Sequence, residues 1–286
     1  MLSIRDLRVV YPNGHEALRS VSLEVAGGQC VCVIGRSGAG KSTLLRCVNG
    51  LVRPTAGTVT VDEAAATGLS GRDQARLRRR IGFIFQEFNL VERLSVMSNV
   101  LAGRLGHVGA LRGSLYLFSR RDREIALRSL ERVNLAHKAR QRADRLSGGE
   151  KQRVAIARAL AQEPVALLAD EPVASLDPEL AWSVMADLHR TAKEANVPTL
   201  INIHDVHLAR AFADRIVGIA DGGVVFDGSP EALDEEALMR VYKGSAAAFG
   251  VHHDSTTAGS SDTTIAAKLP SGELLPATQL GLTGDR

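Results

Sequence analysis

One run of eight residues constrains this chain more than any other: Gly35-Arg-Ser-Gly-Ala-Gly40-Lys41-Ser42, of the form G-x-x-x-x-G-K-S. It stands between an apolar, strand-like run, Cys32-Val-Ile34, and a helix-patterned one, Thr43-Leu-Leu-Arg-Cys-Val48. Glycines let backbone N–H groups wrap closely around a phosphate with no Cβ in the way. The helix that follows adds the partial positive charge of its N-terminus. Gly35, Arg36, Ser37, Gly38, Ala39, Gly40, Lys41, Ser42 and Thr43 are therefore read as a nucleoside triphosphate cradle. Lys41 is expected to bridge the β- and γ-phosphates, and the Ser42 hydroxyl to ligate Mg²⁺. A glycine-rich turn serving only to start a helix would not need Lys and Ser at these two positions.

The rest of the pattern agrees with such a cradle. Short apolar runs at 4–10, 29–34, 81–85, 165–168, 199–203 and 216–220 read as strands. Longer amphipathic stretches at 41–49, 122–133, 149–161, 178–194 and 206–213 read as helices, the fourth with Leu180, Val184 and Leu188 on one stripe. Nearly all-apolar strands interleaved with helices imply a mostly parallel sheet covered on both faces, an α/β fold. The first 25 residues instead alternate around Pro12-Asn13-Gly14, which predicts an antiparallel hairpin at the sheet edge. Residues from about 88 to 145 read as helices only. After about 244, Ser, Thr, Ala and Gly dominate, and the region 245–286 reads as a flexible tail or a small hairpin about Pro270-Ser-Gly272.

Composition narrows the setting. A length of 286 residues fits one large domain or two small ones, with 45% hydrophobic and 23% charged residues. A net charge of +3 is too small to mark a nucleic-acid surface, and Arg76-Leu-Arg-Arg-Arg80, with no aromatic platform beside it, reads as a solvated helix face. No apolar run approaches the roughly 18 residues that a membrane span needs, and the N-terminus lacks a signal-peptide core. Cys30 and Cys32 face one side of a strand and Cys47 lies on a helix, so buried free thiols are expected rather than a metal site. His204 and His207, three apart with no third ligand in view, do not make a metal pair, and a role is assigned to His204 alone.

Two further motifs decide the chemistry. Val165-Ala-Leu-Leu-Ala-Asp170-Glu171 is an apolar strand ending in two acids, at the strand end where such sheets bind ligands. Asp170 is expected to hold the Mg²⁺ hydration shell and Glu171 to polarise the attacking water. Leu146-Ser147-Gly148-Gly149-Glu150, followed by Lys151-Gln152-Arg153, is a second phosphate nest at a helix start, with no lysine-bearing loop of its own. With two nests and one lysine, the chain is identified as a member of the ABC-type ATPases, the nucleotide-binding subunits of ATP-driven transporters. The resemblance runs from about Met1 to Lys243, with every motif in family order.

That resemblance implies a P-loop NTPase core, an N-terminal antiparallel β subdomain and a helical subdomain at about 88–145, together filling 1–244. It implies a head-to-tail homodimer in which Leu146, Ser147, Gly148, Gly149 and Glu150 of one subunit close on the ATP of the other. Tyr11 matches the aromatic that stacks on adenine. Gln86 matches the glutamine that, with Ser42 and Asp170, completes the Mg²⁺ site and senses the membrane partner. Ser175, Leu176 and Asp177 match the loop coupling the two sites, and His204 matches the switch histidine at the γ-phosphate, acting with Glu171 and Lys41. The implied cofactors are ATP and Mg²⁺. The implied partners are transmembrane permease subunits and, through them, an extracytoplasmic solute-binding protein, with no nucleic acid, at the cytoplasmic face of the inner membrane.

Asp170-Glu-Pro-Val-Ala-Ser-Leu-Asp177, the insert at 103–119 and Val225-Phe-Asp-Gly228 are similar to the branch that serves phosphonate importers; phosphite or another small oxyanion is the alternative cargo. Asp205 and the tail depart from the usual pattern. The other function classes fit less well. Translation-type relatives carry two cassettes and repair-type relatives a long coiled coil, and a small-molecule kinase leaves the second nest unexplained.

Overall fold

A computed structural model describes residues 1–242; the tail, with its candidate hairpin, lies outside the described residues. The N-terminal run forms β1 (Leu2–Val10) and β2 (Glu16–Val25), paired antiparallel with Leu2 opposite Val25. Further along, β4 (Ala56–Val61) pairs with the other side of β1, and the short β5 (Ala64–Ala65) pairs with β4. The order β2-β1-β4-β5 makes this a sheet of its own, with β1 inside it, so the hairpin is not the edge of the main sheet as its sequence predicted. The reason is one-sided patterning. Leu2, Ile4, Leu7, Val9, Leu18, Val21, Leu23 and Val25 bury one apolar face. That face closes over Leu44, Leu45 and Val48 and over Val31, Val33 and Leu200. A sheet with one wet face is what alternation of this kind builds.

The main sheet is ordered β10-β9-β3-β8-β7-β6. Its parallel members are β3 (Cys30–Ile34), β6 (Ile81–Ile84), β7 (Ala166–Asp170), β8 (Thr199–Asn202) and β9 (Arg215–Ala220), and β10 (Gly223–Gly228) returns antiparallel beside β9. Every residue of β3, β6, β7 and β8 is buried, the two-sided covering that apolar runs demand. Cys30, Cys32 and Cys47 are free and buried, as expected.

Helices α1 (Lys41–Val48), α2 (Gly71–Arg80), α3 (Val96–Leu101), α4 (Ala110–Ser114), α5 (Arg120–Arg132), α6 (Gly148–Leu160), α7 (Pro178–Ala195), α8 (Val206–Phe212) and α9 (Glu235–Tyr242) complete the fold. Four of them, α3 to α6, lie between β6 and β7 in the chain. Buried Arg104 ties this region together: it donates to Asp122 at 3.0 Å, to the Ala161 carbonyl at 2.9 Å and to Glu163 at 2.9 Å. Ser119 and Asp122 cap α5 reciprocally. The topology leaves the carboxyl ends of β3, β6, β7 and β8 on one side of the sheet, where residues 35, 85, 171 and 203 begin the connecting loops.

Candidate functional site

The loop after β3 is shaped by two glycines. A Cβ on Gly35 would stand 2.2 Å from the Ile219 carbonyl, and one on Gly40 would stand 2.3 Å from the Ala17 carbonyl, at a φ of +105°. Both contacts are with backbone, so neither position admits another residue without moving a strand. Arg36, Ser37 and Gly38 are exposed at the tip, while Ala39 and Lys41 turn inward. Lys41, only 4% exposed, donates from Nζ to the carbonyls of Gly35 at 2.7 Å and Arg36 at 3.0 Å. An ammonium has three protons, so one is left over for an incoming anion. Burial pulls the Lys41 pKa below its ordinary value, while the charges of Glu171 and Asp170 oppose that shift.

The end of β7 brings the two acids to this loop. Ser42 Oγ donates to Asp170 Oδ1 at 2.8 Å. Asn202, at the end of the neighbouring strand β8, donates from its amide nitrogen to the same oxygen at 2.6 Å and to Ser42 Oγ at 3.2 Å. Glu171 leaves the strand with a left-handed φ of +52°, its N–H held by the Asn202 carbonyl at 3.0 Å. A glutamate in that region is strained by about 1–3 kcal/mol, the kind of outlier that marks a position fixed by its surroundings. Its Oε1 lies 2.7 Å from His204 Nε2, so the two residues read separately from the sequence form one hydrogen-bonded pair.

Tyr11 closes the other side. Its hydroxyl is 3.2 Å from Thr43 Oγ1, and its ring runs parallel to that of His15, with centroids 6.4 Å apart. A cavity of about 210 Å³ is lined jointly by Tyr11, His15, Ala17, Ser37, Gly38, Gly40, Lys41, Ser42, Thr43, Glu171 and His204. Gln86 stands exposed past the end of β6 and does not line it. His15 and Ala17 in the lining, and Asn202 behind Ser42 and Asp170, were not assigned from the sequence. Asn202 carried a usable signal, a polar residue inside the apolar run Leu200-Ile-Asn-Ile203, whereas His15 carried none.

The second nest lies elsewhere. Leu146 and Gly149 are buried, Ser147 is exposed, and none of 146–150 lines the cavity. Ser147 Oγ accepts from the Glu150 N–H at 3.4 Å, and Glu150 Oε2 accepts from the Ser147 N–H at 3.1 Å, a reciprocal cap on α6. Lys138 pairs with the other Glu150 oxygen. Asp177 caps α7 through the Leu180 N–H at 3.0 Å, and Ser175 beside it is exposed. Leu176 lines a separate cavity of about 400 Å³ with Trp182, Glu171 and His204. Asp205 has a local role. Its Oδ1 accepts from the N–H groups of His207 at 2.8 Å and Leu208 at 3.1 Å, starting α8.

The donor set suits one kind of ion. Ser42 and Asp170 offer hard oxygens, and among the described residues no group of three or more His, Cys, Asp or Glu could hold a metal unaided. Mg²⁺ fits such a place, because it takes one or two protein oxygens and fills its octahedron with phosphate oxygens and water.

Known proteins place this geometry. The family model for ABC transporters matches residues 18–174. The chain is 48% identical over 242 residues to a phosphonates import ATP-binding protein PhnC of Halalkalibacterium halodurans, covering 85% of this chain and 94% of that protein. It is 52% identical over 242 residues to the PhnC of Chromohalobacter salexigens, covering 85% of this chain and 89% of that one. Among solved structures it resembles the dimeric, post-hydrolysis state of the ATP-binding cassette MJ0796 bound to ADP and Pi, with TM-score 0.69 and 34% identity over 80% of this chain and 99% of that one. A second cassette, MJ1267 in its ADP conformation, shares the fold at TM-score 0.75 and 24% identity, covering 85% of this chain and 98% of that one. The chain belongs to the ABC transporter family, as one of its ATP-hydrolysing cassettes with an α/β fold.

Proposed function

We propose that this chain is the energy-coupling subunit of a phosphonate importer, working as a homodimer beneath transmembrane permease subunits at the cytoplasmic face of the inner membrane. The observation that carries the reading is the division of the site. Tyr11, Ser37, Gly38, Gly40 to Thr43, Glu171 and His204 share one cavity, while the nest at 146–150 lies outside it and is left to meet the nucleotide of another copy. The likeness to the phosphonates import ATP-binding proteins supplies the cargo. Among the described residues no helix is long and apolar enough to cross a membrane.

In this reading ATP lies with its base on Tyr11 and its phosphates along the loop N–H groups of Gly38 to Thr43. Lys41 turns from the Gly35 and Arg36 carbonyls toward the β- and γ-phosphates. Ser42 and Asp170 would hold Mg²⁺, with Gln86 the third residue matched to that site, and the ion when bound would offset phosphate charge. Glu171 accepts a proton from the attacking water; His204, which holds the carboxylate through Nε2 before nucleotide arrives, turns that N–H to the γ-phosphate when it does. Ser147 and the N–H groups at the start of α6 of the second copy complete the set of donors around the charge that develops in transfer. Ser175, Leu176 and Asp177 link the two sites across the dimer.

The region at 88–145, with Gln86, is the permease-docking surface. It presents Leu111, Leu115 and Leu117, which are 75%, 61% and 52% exposed, on a segment pinned to the body by Arg104. One strain tests the whole reading. Deleting this chain should abolish growth on a phosphonate as sole phosphorus source, while growth on phosphate continues. Restoration should require Glu171, and the permease should accompany the tagged chain out of detergent-solubilised membranes. Undiminished growth on phosphonate would overturn the cargo, and a chain that leaves the membranes alone would overturn the assembly.

A further inference from the structure

Asn202 is a polar side chain on a strand otherwise made for apolar ones. It is wholly buried, as are Leu200 and Ile201 before it. An amide placed there without bonds would cost about 1–3 kcal/mol, so its partners matter. The strand register puts it directly opposite Asp170 on β7 and Val33 on β3, beside the root of the phosphate loop. Its amide nitrogen lies 2.6 Å from Asp170 Oδ1 and 3.2 Å from Ser42 Oγ. A carboxylate only accepts, so the NH₂ rather than the amide oxygen must face it. Its own Oδ1 has no hydrogen-bond partner among the described residues. That unsatisfied oxygen is tolerated in exchange for the two donations.

The hydrogen-bond count at Ser42 is the second observation. A serine hydroxyl has one proton and two lone pairs. The proton goes to Asp170 Oδ1 at 2.8 Å, and one lone pair is taken by the Asn202 amide. One lone pair remains, with its direction fixed. At Asp170, Oδ1 receives two donors, whereas Oδ2 has only Arg46, at 3.9 Å.

We propose that Asn202 is a positioning residue for the divalent cation: by donating to Asp170 Oδ1 and Ser42 Oγ together, it aims the free Ser42 lone pair and the free Asp170 oxygen at one place. The inference rests on the nucleotide-and-Mg²⁺ reading above. Asn202 touches neither nucleotide nor ion, and acts only through Ser42 and Asp170. Partners of this kind, one bond behind the ligands, commonly set metal affinity by about 10- to 100-fold.

The test measures binding of a fluorescent ADP analogue to the full-length chain, with Mg²⁺ titrated from an EDTA-treated start. Asn202→Leu keeps the volume and removes both donations. It should raise the Mg²⁺ concentration for half-maximal enhancement about tenfold, with nucleotide affinity in EDTA within about twofold of wild type. Asn202→Ser, which leaves a hydroxyl and room for a bridging water, should fall between the two. An unchanged Mg²⁺ midpoint in a cooperatively folded Asn202→Leu overturns the proposal. So does an equal loss of affinity with and without Mg²⁺, which would make Asn202 a prop of the loop and nothing more. If the leucine variant does not fold, the serine variant decides: a midpoint raised about threefold or more upholds the proposal, and an unmoved one overturns it. Wild-type binding indifferent to Mg²⁺ would instead overturn the assignment of Mg²⁺ to Ser42 and Asp170 beneath it, and this inference with it.

Discussion

The loop at 35–42 and the loop at 146–150 both begin a helix with small residues, yet their surroundings are opposite. At the first, Lys41 is buried and bonded to two carbonyls, and Ser42, Asp170 and Asn202 share one carboxylate oxygen. At the second, Ser147 is exposed and its hydroxyl accepts only from the Glu150 N–H within its own helix. That hydroxyl also stands beside the Glu150 carboxylate, so its one proton can serve either Glu150 or an incoming phosphate. The N–H groups of Gly148 and Gly149 fall in the first helical turn, where no intrahelical acceptor exists. One loop is therefore finished within the described residues, whereas the other is preorganised by its own cap and by Lys138 and leaves its first-turn N–H groups without an intrahelical acceptor. Under the proposed homodimer, that difference is what a second copy would supply.

The largest expected effect tests the finished side. Glu171→Gln removes the base but keeps the size of the side chain, so turnover should fall about 10²- to 10⁴-fold while ATP still binds. Because hydrolysis is then too slow to reopen the dimer, ATP-dependent dimers should accumulate on size exclusion. Multi-turnover phosphate release at the wild-type rate would remove Glu171 from that role. Ser147→Arg tests the unfinished side. It should cost about 10²- to 10³-fold in turnover, with nucleotide binding to the isolated chain preserved. Mixing it with Lys41→Ala provides the sharper measurement. Each variant is dead alone, but a mixed dimer contains one composite site with an intact Lys41 and an intact Ser147, so activity should return in the mixture. If it does not, the two loops do not meet across an interface and the comparison is broken.

A smaller effect belongs to the base end of the cavity. Tyr11 is half-buried; its hydroxyl meets Thr43 and its ring lies parallel to that of His15. Stacking of a base on an aromatic ring contributes about 1–3 kcal/mol, so Tyr11→Ala should weaken ATP binding about tenfold by calorimetry. Tyr11→Phe should stay near wild type. If loss of the hydroxyl matters as much as loss of the ring, Tyr11 is a brace for Thr43 and not a platform.

The finished loop was far more legible in the sequence than the way the chain meets itself. Gly35, Gly40, Lys41 and Ser42 fall within eight consecutive residues, and their spacing points to one chemistry. Asp170 and Glu171 were visible because an apolar strand ending in two acids is unusual. The Glu171–His204 pair was not visible as a pair, because it joins the ends of β7 and β8 across 33 positions of chain. Asn202 was passed over as one polar residue in an apolar run, since nothing local says that it faces Asp170; only the parallel register of β7 and β8 does. The hairpin of β1 and β2 was legible as a hairpin but misplaced as an edge. Its real neighbour, β4, is a short and partly exposed strand, Ala56–Val61, whose pairing with β1 is entirely non-local.

The smallest effect asks whether the second loop holds its shape through charge. Burial tends to raise the Glu150 pKa, but hydrogen bonds from Lys138 and from the Ser147 N–H and hydroxyl outweigh it and hold the carboxyl below its ordinary value. A carboxyl lowered on folding contributes stability that is fully present above its unfolded-state pKa and is lost as pH falls through the folded value. Glu150→Gln keeps the cap on α6 but discards the pairing with Lys138, both of whose partners are largely shielded. The expected cost is about 1 kcal/mol near pH 7, read from urea denaturation. In the wild type that advantage should shrink as the medium is taken below the ordinary glutamate range, and the two unfolding curves should converge there. Turnover of the Gln variant near pH 7 should change little, because Ser147 and the helix start remain in place. A large loss of turnover with unchanged stability would mean that the Glu150 charge acts on the nucleotide of the second copy, and that the second loop is more than a preformed set of donors.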